Sequence, residues 1–277
     1  MKIASERFRA DNSDNAPHIL FCGGFHSSMH GTKATALQQL CIDQQWHFTR
    51  FDYRGHGQSD GDPSQHTLIH WLDDTLAILD EQPINTIIVG SSMGAWLATL
   101  AALKRPELVC GLLLLAAAPD FLQRRIAPTL SPSDIWDLQQ GNVVKLPTDY
   151  DPSRDAGRDA GHDVGREMGR DNGHSSDDNT GHENSYPITQ ALLDSGNALS
   201  ILTGNALATL NCPIRLIHGT ADKDAPLELA MQLMTQCPES HDAQMTLLHN
   251  ADHRLSDASA LSCITKTLGD FTAQVFN

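Results

Sequence analysis

Val89-Gly90-Ser91-Ser92-Met93-Gly94-Ala95, near the middle of the chain, is the stretch whose reading decides the fold. It holds the pattern Gly-x-Ser-x-Gly between an apolar run at 86–89 (TIIV) and a second run at 95–104 (AWLATLAALK). The first run is short and β-branched, which predicts a buried strand. The second predicts a helix that stops near Pro106. A strand, a sharp turn and a helix in that order lift Ser92 clear of its neighbours, and the flanking glycines leave room for close backbone packing. The helix N-terminus then offers free N–H groups and positive dipole to an oxyanion formed beside it.

Working outward, apolar β-rich runs alternate with helical patterns. Strands are expected at 18–22, 47–53 and 109–116, with helices at 32–41 and 68–79, the latter placing Leu68, Trp71, Leu72, Leu76 and Leu79 on one face. Such alternation implies right-handed crossovers and a mostly parallel, doubly wound α/β sheet with helices on both faces. The pattern lapses from 119 to about 210 and resumes with strands at 214–217 and 244–248 and helices at 226–235 and 259–271. The expected organisation is a core from 1–118 and 211–277, interrupted by an inserted helical cap over 119–210 with helical patches at 133–140 and 188–202. Within the cap, five tandem tetrapeptides (DAGR-DAGH-DVGR-EMGR-DNGH, 155–174) sit in a low-complexity insert at about 151–185. A glycine every fourth residue and almost nothing apolar to bury predict a disordered surface loop. Its Asp and His residues lack calcium-repeat and zinc-type spacing, so no metal is expected there.

The formal net charge of −15 argues against nucleic acid and anionic membranes as partners. No apolar run reaches membrane-spanning length, the longest being 112–118, and the first fifteen residues are polar without a signal-like apolar segment. A cytoplasmic enzyme is the expectation. The six cysteines are scattered without a C-x-x-C pair, which predicts reduced thiols rather than a disulfide framework.

A serine hydroxyl attacks well only when a base takes its proton and a carboxylate orients that base. On a doubly wound sheet these partners come from loops at the carboxyl ends of later strands. The strand at 214–217 runs into His218-Gly219-Thr220-Ala221-Asp222-Lys223-Asp224, where Asp222 is the expected acid and Asp224 the alternative. Gly219 is expected to serve a tight turn there. The last strand runs into His249-Asn250-Ala251-Asp252-His253, where His253 is the expected base and His249 the poorer candidate. Ser91 lies one place too early for the turn, and Asp252 reads as a turn or capping residue. The oxyanion hole is expected from the backbone amides of Met93 and of Phe25, which follows Gly23-Gly24 on the loop after the first long strand. Phe25, Met29 and Trp96 are open to two readings, as walls of an acyl pocket or as ordinary core. Nothing in the sequence calls for a cofactor or a metal.

Four motifs, FDYRGHGQSDG (51–61), VGSSMGAWLA (89–98), CPIRLIHGTADKDAP (212–226) and ADHRLS (251–256), resemble those of the α/β-hydrolase superfamily. With MHGTKATALQQLC (29–41), they are most similar to the branch of the mitochondrial palmitoyl-protein thioesterase, also described as an acyl-glucuronide esterase. The resemblance spans most of the chain outside the tetrapeptide tract. It implies an eight-stranded type of sheet, a triad of Ser92, His253 and Asp222, and a cap that roofs the pocket. The implied reaction is hydrolysis of a small-molecule acyl ester or thioester, or of an acylated protein, through an acyl-enzyme. Two other readings stay open: hydrolysis of a carbon–carbon bond with the same triad, and a non-catalytic protein that binds ligand in a hydrolase pocket.

Overall fold

The structure, a computed structural model, describes residues 1–11, 16–82, 85–147, 185–238 and 242–276. The tetrapeptide repeats lie outside the described residues. Seven of the described strands form one sheet in the order β1-β3-β2-β4-β5-β8-β9. These are β1 (Ser5–Phe8), β2 (His18–Cys22), β3 (His47–Phe51), β4 (Thr86–Ser91), β5 (Val109–Leu115), β8 (Ile214–Gly219) and β9 (Ala243–Leu248). Every pairing is parallel except β1 with β3. The expectation of an eight-stranded type of sheet is thus corrected to seven among the described residues, with β1 supplying the antiparallel edge.

The inner strands are buried on both faces because their side chains alternate between two apolar layers. Ile19, Phe21, Ile87, Val89, Leu113 and Leu115 face one layer, closed by α1 (Thr32–Gln44) and α7 (Ala258–Phe276). Leu20, Cys22, Ile88, Leu112, Leu114 and Leu216 face the other, closed by α2 (Leu68–Asp80), α3 (Met93–Lys104) and α6 (Leu227–Gln236). Helix α3 is apolar nearly all round and buried from Met93 to Ala102, as a helix wedged between sheet and covering layer must be. Each fully buried Leu, Ile or Phe is worth roughly 1.5–3 kcal/mol, so these two layers hold the strand ends rigidly in place.

Between β5 and β8 the chain leaves the sheet. A π-helical turn (Leu122–Ile126) leads to α4 (Pro132–Gln139), then a two-stranded antiparallel hairpin of β6 (Val144–Pro147) and β7 (Ser185–Ile188), then α5 (Gln190–Ala198). The helical patch expected from 188 is corrected here, since Ile188 closes a strand opposite Val144. The helix begins only after Thr189, whose hydroxyl caps the Leu192 amide at 3.1 Å. Asp120, buried and in the left-handed region at φ 54°, accepts the Ile201 and Leu202 amides at 2.9 and 3.2 Å. It thereby pins the returning chain to the end of β5.

Three histidines are packed where water does not reach easily. His18, at the start of β2, bridges the strands on either side, with Nδ1 at 3.1 Å from Thr86 Oγ1 of β4 and Nε2 at 3.1 Å from Thr49 Oγ1 of β3. Burial pushes its pKa down to about 3, and burial likewise holds His56 to about 3 and His26 to about 4. The unfolded chain takes up these protons near 6.5 while the folded one refuses them, so stability is lost as pH falls from about 6.5 toward 3. Each such group removes up to about 2 kcal/mol between pH 7 and pH 5. Urea unfolding at the two pH values should therefore show a loss that is visibly smaller in His18→Gln; an identical loss in the variant would refute it.

Candidate active site

The turn after β4 is built as tightly as its glycines suggest. Ser92 sits at φ 56°, ψ −117°, a strained conformation for a residue with a side chain, and the strain is held by the strand before it and the buried helix behind it. Its amide donates to Leu115 O of the neighbouring strand at 2.9 Å. A Cβ on Gly94 would lie 2.1 Å from Cys22 O and 2.4 Å from Gly23 O, so only glycine lets α3 start this close to β2. A Cβ on Gly90 would lie 2.5 Å from Gly94 O. Ser91, in contrast, remains the last residue of β4 and is buried.

Ser92 Oγ is 2.9 Å from His253 Nε2, and His253 Nδ1 is 2.8 Å from Asp222 Oδ2. The structure therefore brings together the serine, base and acid expected from the sequence. The loop bearing Asp222 and the loop bearing His253 are laced to each other. Thr220 N donates to Leu248 O at 2.9 Å, Ala221 N to Ala251 O at 3.0 Å, and Asn250 N to Thr220 Oγ1 at 2.9 Å. Gly219 opens the tight turn expected of it, with Asp222 N on Gly219 O at 3.3 Å, and also permits this lacing, since a Cβ there would lie 2.2 Å from Ala251 O.

Asp222 is deeply placed, its side chain 1 % exposed, whereas that of His253 is 20 % exposed and open to a substrate. Asp222 Oδ1 accepts the Asp224 and Ala225 amides at 2.9 and 2.8 Å. Burial would raise its pKa, but the hydrogen bond and charge of His253, the Ala225 amide and His218 outweigh that and hold it below the ordinary carboxylate value. Asp224 is exposed, and Asp252 is a turn residue whose carboxylate accepts the Arg254 and Leu255 amides at 3.0 and 3.3 Å. His249 is exposed at the strand end. Asp222, Asp224 and His253 present ligand atoms within 4.8 Å of one another and are a set among the described residues able to hold a cation. Two of the three are already bonded to each other.

One neighbour escaped the sequence reading. His218, fully buried on β8, places Nε2 3.0 Å from Ala225 O and 3.3 Å from Asp222 Oδ2. Burial lowers its pKa, so it stays neutral and donates from Nε2. The acid thus lies between two imidazoles, His253 on one side and His218 on the other. The only signal was position: His218 is the last but one residue of β8, four residues before Asp222, and fully buried.

The loop after β2 reaches Ser92 directly, since a Cβ on Gly24 would be 3.3 Å from Ser92 Cβ. Phe25 follows at the wall of the cavity, with its ring centroid 4.9 Å from Tyr186 and 5.9 Å from Phe121. Met93, as the first residue of α3, has an amide with no acceptor inside the helix. The other two pocket candidates are core. Met29 is buried, with its amide on Asp52 Oδ1 at 2.6 Å, and Trp96 is buried and donates Nε1 to Leu199 O at 3.0 Å, tying α3 to the end of α5. Over Ser92 and His253 lies a cavity of about 910 Å³ walled by Phe25, Phe121, Ile126, Leu146, Pro147 and Tyr186. All six cysteines are free thiols, and burial raises the pKa of Cys22, Cys110 and Cys212 to about 12, which leaves them inert.

The sheet order, the turn at Ser92 and the placement of a histidine and an aspartate on later strand ends define an α/β-hydrolase of the serine-hydrolase type. The chain belongs to the Hydrolase_4 family (serine aminopeptidase, S33), which it matches over residues 13–257, and it is a hydrolytic enzyme. Among curated relatives it is 30% identical over 257 residues to the mitochondrial palmitoyl-protein thioesterase ABHD10 of Pongo abelii, covering 92% of this chain and 72% of the relative. It is 29% identical to the Homo sapiens counterpart over the same shares. Among solved structures, alpha/beta hydrolase domain-containing protein 10 from mouse superposes with a TM-score of 0.76 at 25% identity, over 99% of this chain and 94% of that one. A putative hydrolase from Agrobacterium vitis S4 gives a TM-score of 0.76 at 27% identity, over 98% and 99%. Among the described residues no helix is long and apolar enough to cross a membrane.

Proposed function

We propose that this chain hydrolyses carboxylic esters or thioesters through an acyl-enzyme on Ser92. The observation that carries the reading is the continuous hydrogen-bond line from Ser92 Oγ through His253 to Asp222 at the tip of a strained turn. In it His253 takes the hydroxyl proton as Ser92 attacks the acyl carbon, and Asp222 fixes the imidazole with Nδ1–H toward itself. The amides of Phe25 and Met93 hold the oxyanion of the tetrahedral intermediate. His253 then gives the proton to the leaving oxygen or sulfur. Water, activated by the same imidazole, releases the acid and regenerates Ser92.

The segment 119–210 acts as a cap whose hairpin and π-helical turn supply the apolar roof of the cavity. A volume of about 910 Å³ with aromatic and aliphatic walls suits a medium acyl chain together with its leaving group. The names of the thioesterase relatives agree with acyl substrates. Six free cysteines fit a reducing compartment such as the cytoplasm.

A graded set of aryl esters and acyl thioesters tests the reading. The expected result is turnover that rises from acetyl to medium chains, with a burst of product equal to the enzyme concentration where deacylation is slow. Turnover confined to carbon–carbon substrates, or none with any acyl compound, would overturn it.

A further inference from the structure

The loop that reaches Ser92 opens with Gly23 and Gly24, the residue type with the greatest backbone freedom. Each fits a close contact. A Cβ on Gly24 would lie 3.3 Å from Ser92 Cβ and 3.4 Å from Ser91 O, and one on Gly23 would lie 2.8 Å from Ser27 Oγ. The first glycine contact leaves room for the nucleophile, and the second leaves room for a serine hydroxyl. A hydrogen-bond donor carried on so free a segment would wander unless something held its peptide plane.

Hydroxyl groups hold both planes before Phe25. Tyr53 Oη donates to Gly23 O at 3.2 Å, and Ser27 Oγ donates to Gly24 O at 2.8 Å, with Ser27 N on the same oxygen at 3.2 Å. The last of these bonds closes a turn from Gly24 to Ser27. His26, third in that turn, sits at φ 56°, the positive value that a type II turn takes there. Its ring anchors it in that strained conformation, with centroids 4.5 Å from Phe25, edge-on, and 5.1 Å from Tyr186 of the cap. The Gly24–Phe25 peptide is trans, so its C=O and N–H point in opposite directions. Turning Gly24 O inward to Ser27 therefore turns the Phe25 N–H out of the turn. Gly24, Phe25, Ser27 and Ser92 all line the catalytic cavity.

We propose that Ser27 is a positioning residue that presets the oxyanion hole, its hydroxyl locking the Gly24–Phe25 peptide with the Phe25 N–H aimed at the oxyanion. This rests on the serine-hydrolase reading above. Ser27 acts through the Phe25 amide and not on the reacting atoms. It spares the transition state the cost of ordering a diglycine segment, and a donor fixed beforehand stabilises developing charge without reorganisation. Acylation and deacylation both pass through a tetrahedral oxyanion, so the lock serves both steps and leaves substrate binding alone.

Ser27 is half-buried, so Ser27→Ala should fold normally. It is expected to lower kcat for an aryl ester by roughly tenfold to fiftyfold, less than the roughly hundredfold or more of losing a donor outright, with KM within about twofold of wild type. An alkyl trifluoromethyl ketone, whose adduct with Ser92 carries the oxyanion, should bind more weakly by about the factor that kcat loses. The matching alkyl alcohol, which forms no adduct, should bind as before. Gly23→Ala drives a methyl group into the place of the hydroxyl and should cost a similar factor in kcat. Because both changes act through one contact, Gly23→Ala/Ser27→Ala should stay within about threefold of either single variant. The inference is overturned if Ser27→Ala keeps wild-type kcat, if its loss lies in KM, if ketone and alcohol weaken alike, or if the two single losses multiply in the double variant. A wild type that turns over no acyl substrate would instead strike the hydrolase reading itself.

Discussion

Ser92→Ala should lower kcat/KM for an aryl ester by roughly four to six orders of magnitude and abolish labelling by a fluorophosphonate probe. The size follows from what the variant keeps and what it loses. It keeps the cavity, the Phe25 and Met93 amides proposed for the oxyanion and the His253–Asp222 pair, which together should still give some acceleration over water. It loses the covalent intermediate, because His253 then has no hydroxyl to deprotonate and must act on a water that nothing positions. Folding should be little changed. Alanine adopts the same φ of 56° at similar cost, and the buried contacts that hold the turn come from β4 and α3 rather than from the hydroxyl. Thermal unfolding that shifts by no more than a few degrees would show that the loss is chemical. Ser91→Ala is the control: its side chain ends a buried strand, so most activity should remain. Full turnover by Ser92→Ala, or loss of labelling only in Ser91→Ala, would rule out Ser92 as the nucleophile.

Much of this site was legible because its residues are tied to strand ends, and strand ends are what hydrophobic periodicity marks best. β2, β4, β5 and β8 are buried on both faces and read as short apolar runs, so the loops after them could be placed within a residue or two. Elements without that signature stayed hidden. β1 (SERF) alternates exposed and half-buried residues, and an edge strand of four residues has too little apolar content to stand out. The hairpin strands VKLP and SYPI each hold a proline and pair across a gap of more than thirty residues in sequence. That hairpin carries Tyr186 and Leu146 into the cavity, so half of the acyl roof was unreadable for the same reason. The core reading of Trp96 could not be separated from a pocket reading by pattern, because a helix wedged against a sheet buries its whole circumference. His218 was overlooked for a subtler cause. In sequence it is one of fourteen histidines, and only the fold of the β8 loop returns Asp222 to within 3.3 Å of it.

The preference for Asp222 over Asp224, expected because Asp222 lies nearer the strand end, yields the second large effect. Asp222→Asn should cut kcat/KM by roughly three to four orders of magnitude, while Asp224→Asn should change it by less than about threefold. Asp222 Oδ2 accepts from His253 Nδ1 at 2.8 Å, and that bond fixes the tautomer in which Nε2 carries the lone pair facing Ser92 Oγ. An asparagine can turn its amide N–H toward Nδ1. The proton then moves to Nε2, and the base is blocked in the ground state. His218 strengthens the argument, because its neutral Nε2–H near Oδ2 favours an acceptor at that position and helps to orient it. The carboxyl of Asp222 is held below the ordinary range, so it is ionised wherever the enzyme works, and a variant that cannot ionise loses the countercharge for the imidazolium at every pH. Asp224 contributes its backbone amide to Asp222 Oδ1, which the asparagine substitution keeps, and its exposed carboxylate is screened by solvent. Steady-state kinetics on one aryl ester, with equal thermal stability for the three proteins, settles the pair: comparable losses in both variants, or a larger loss in Asp224→Asn, would remove Asp222 from the orienting role.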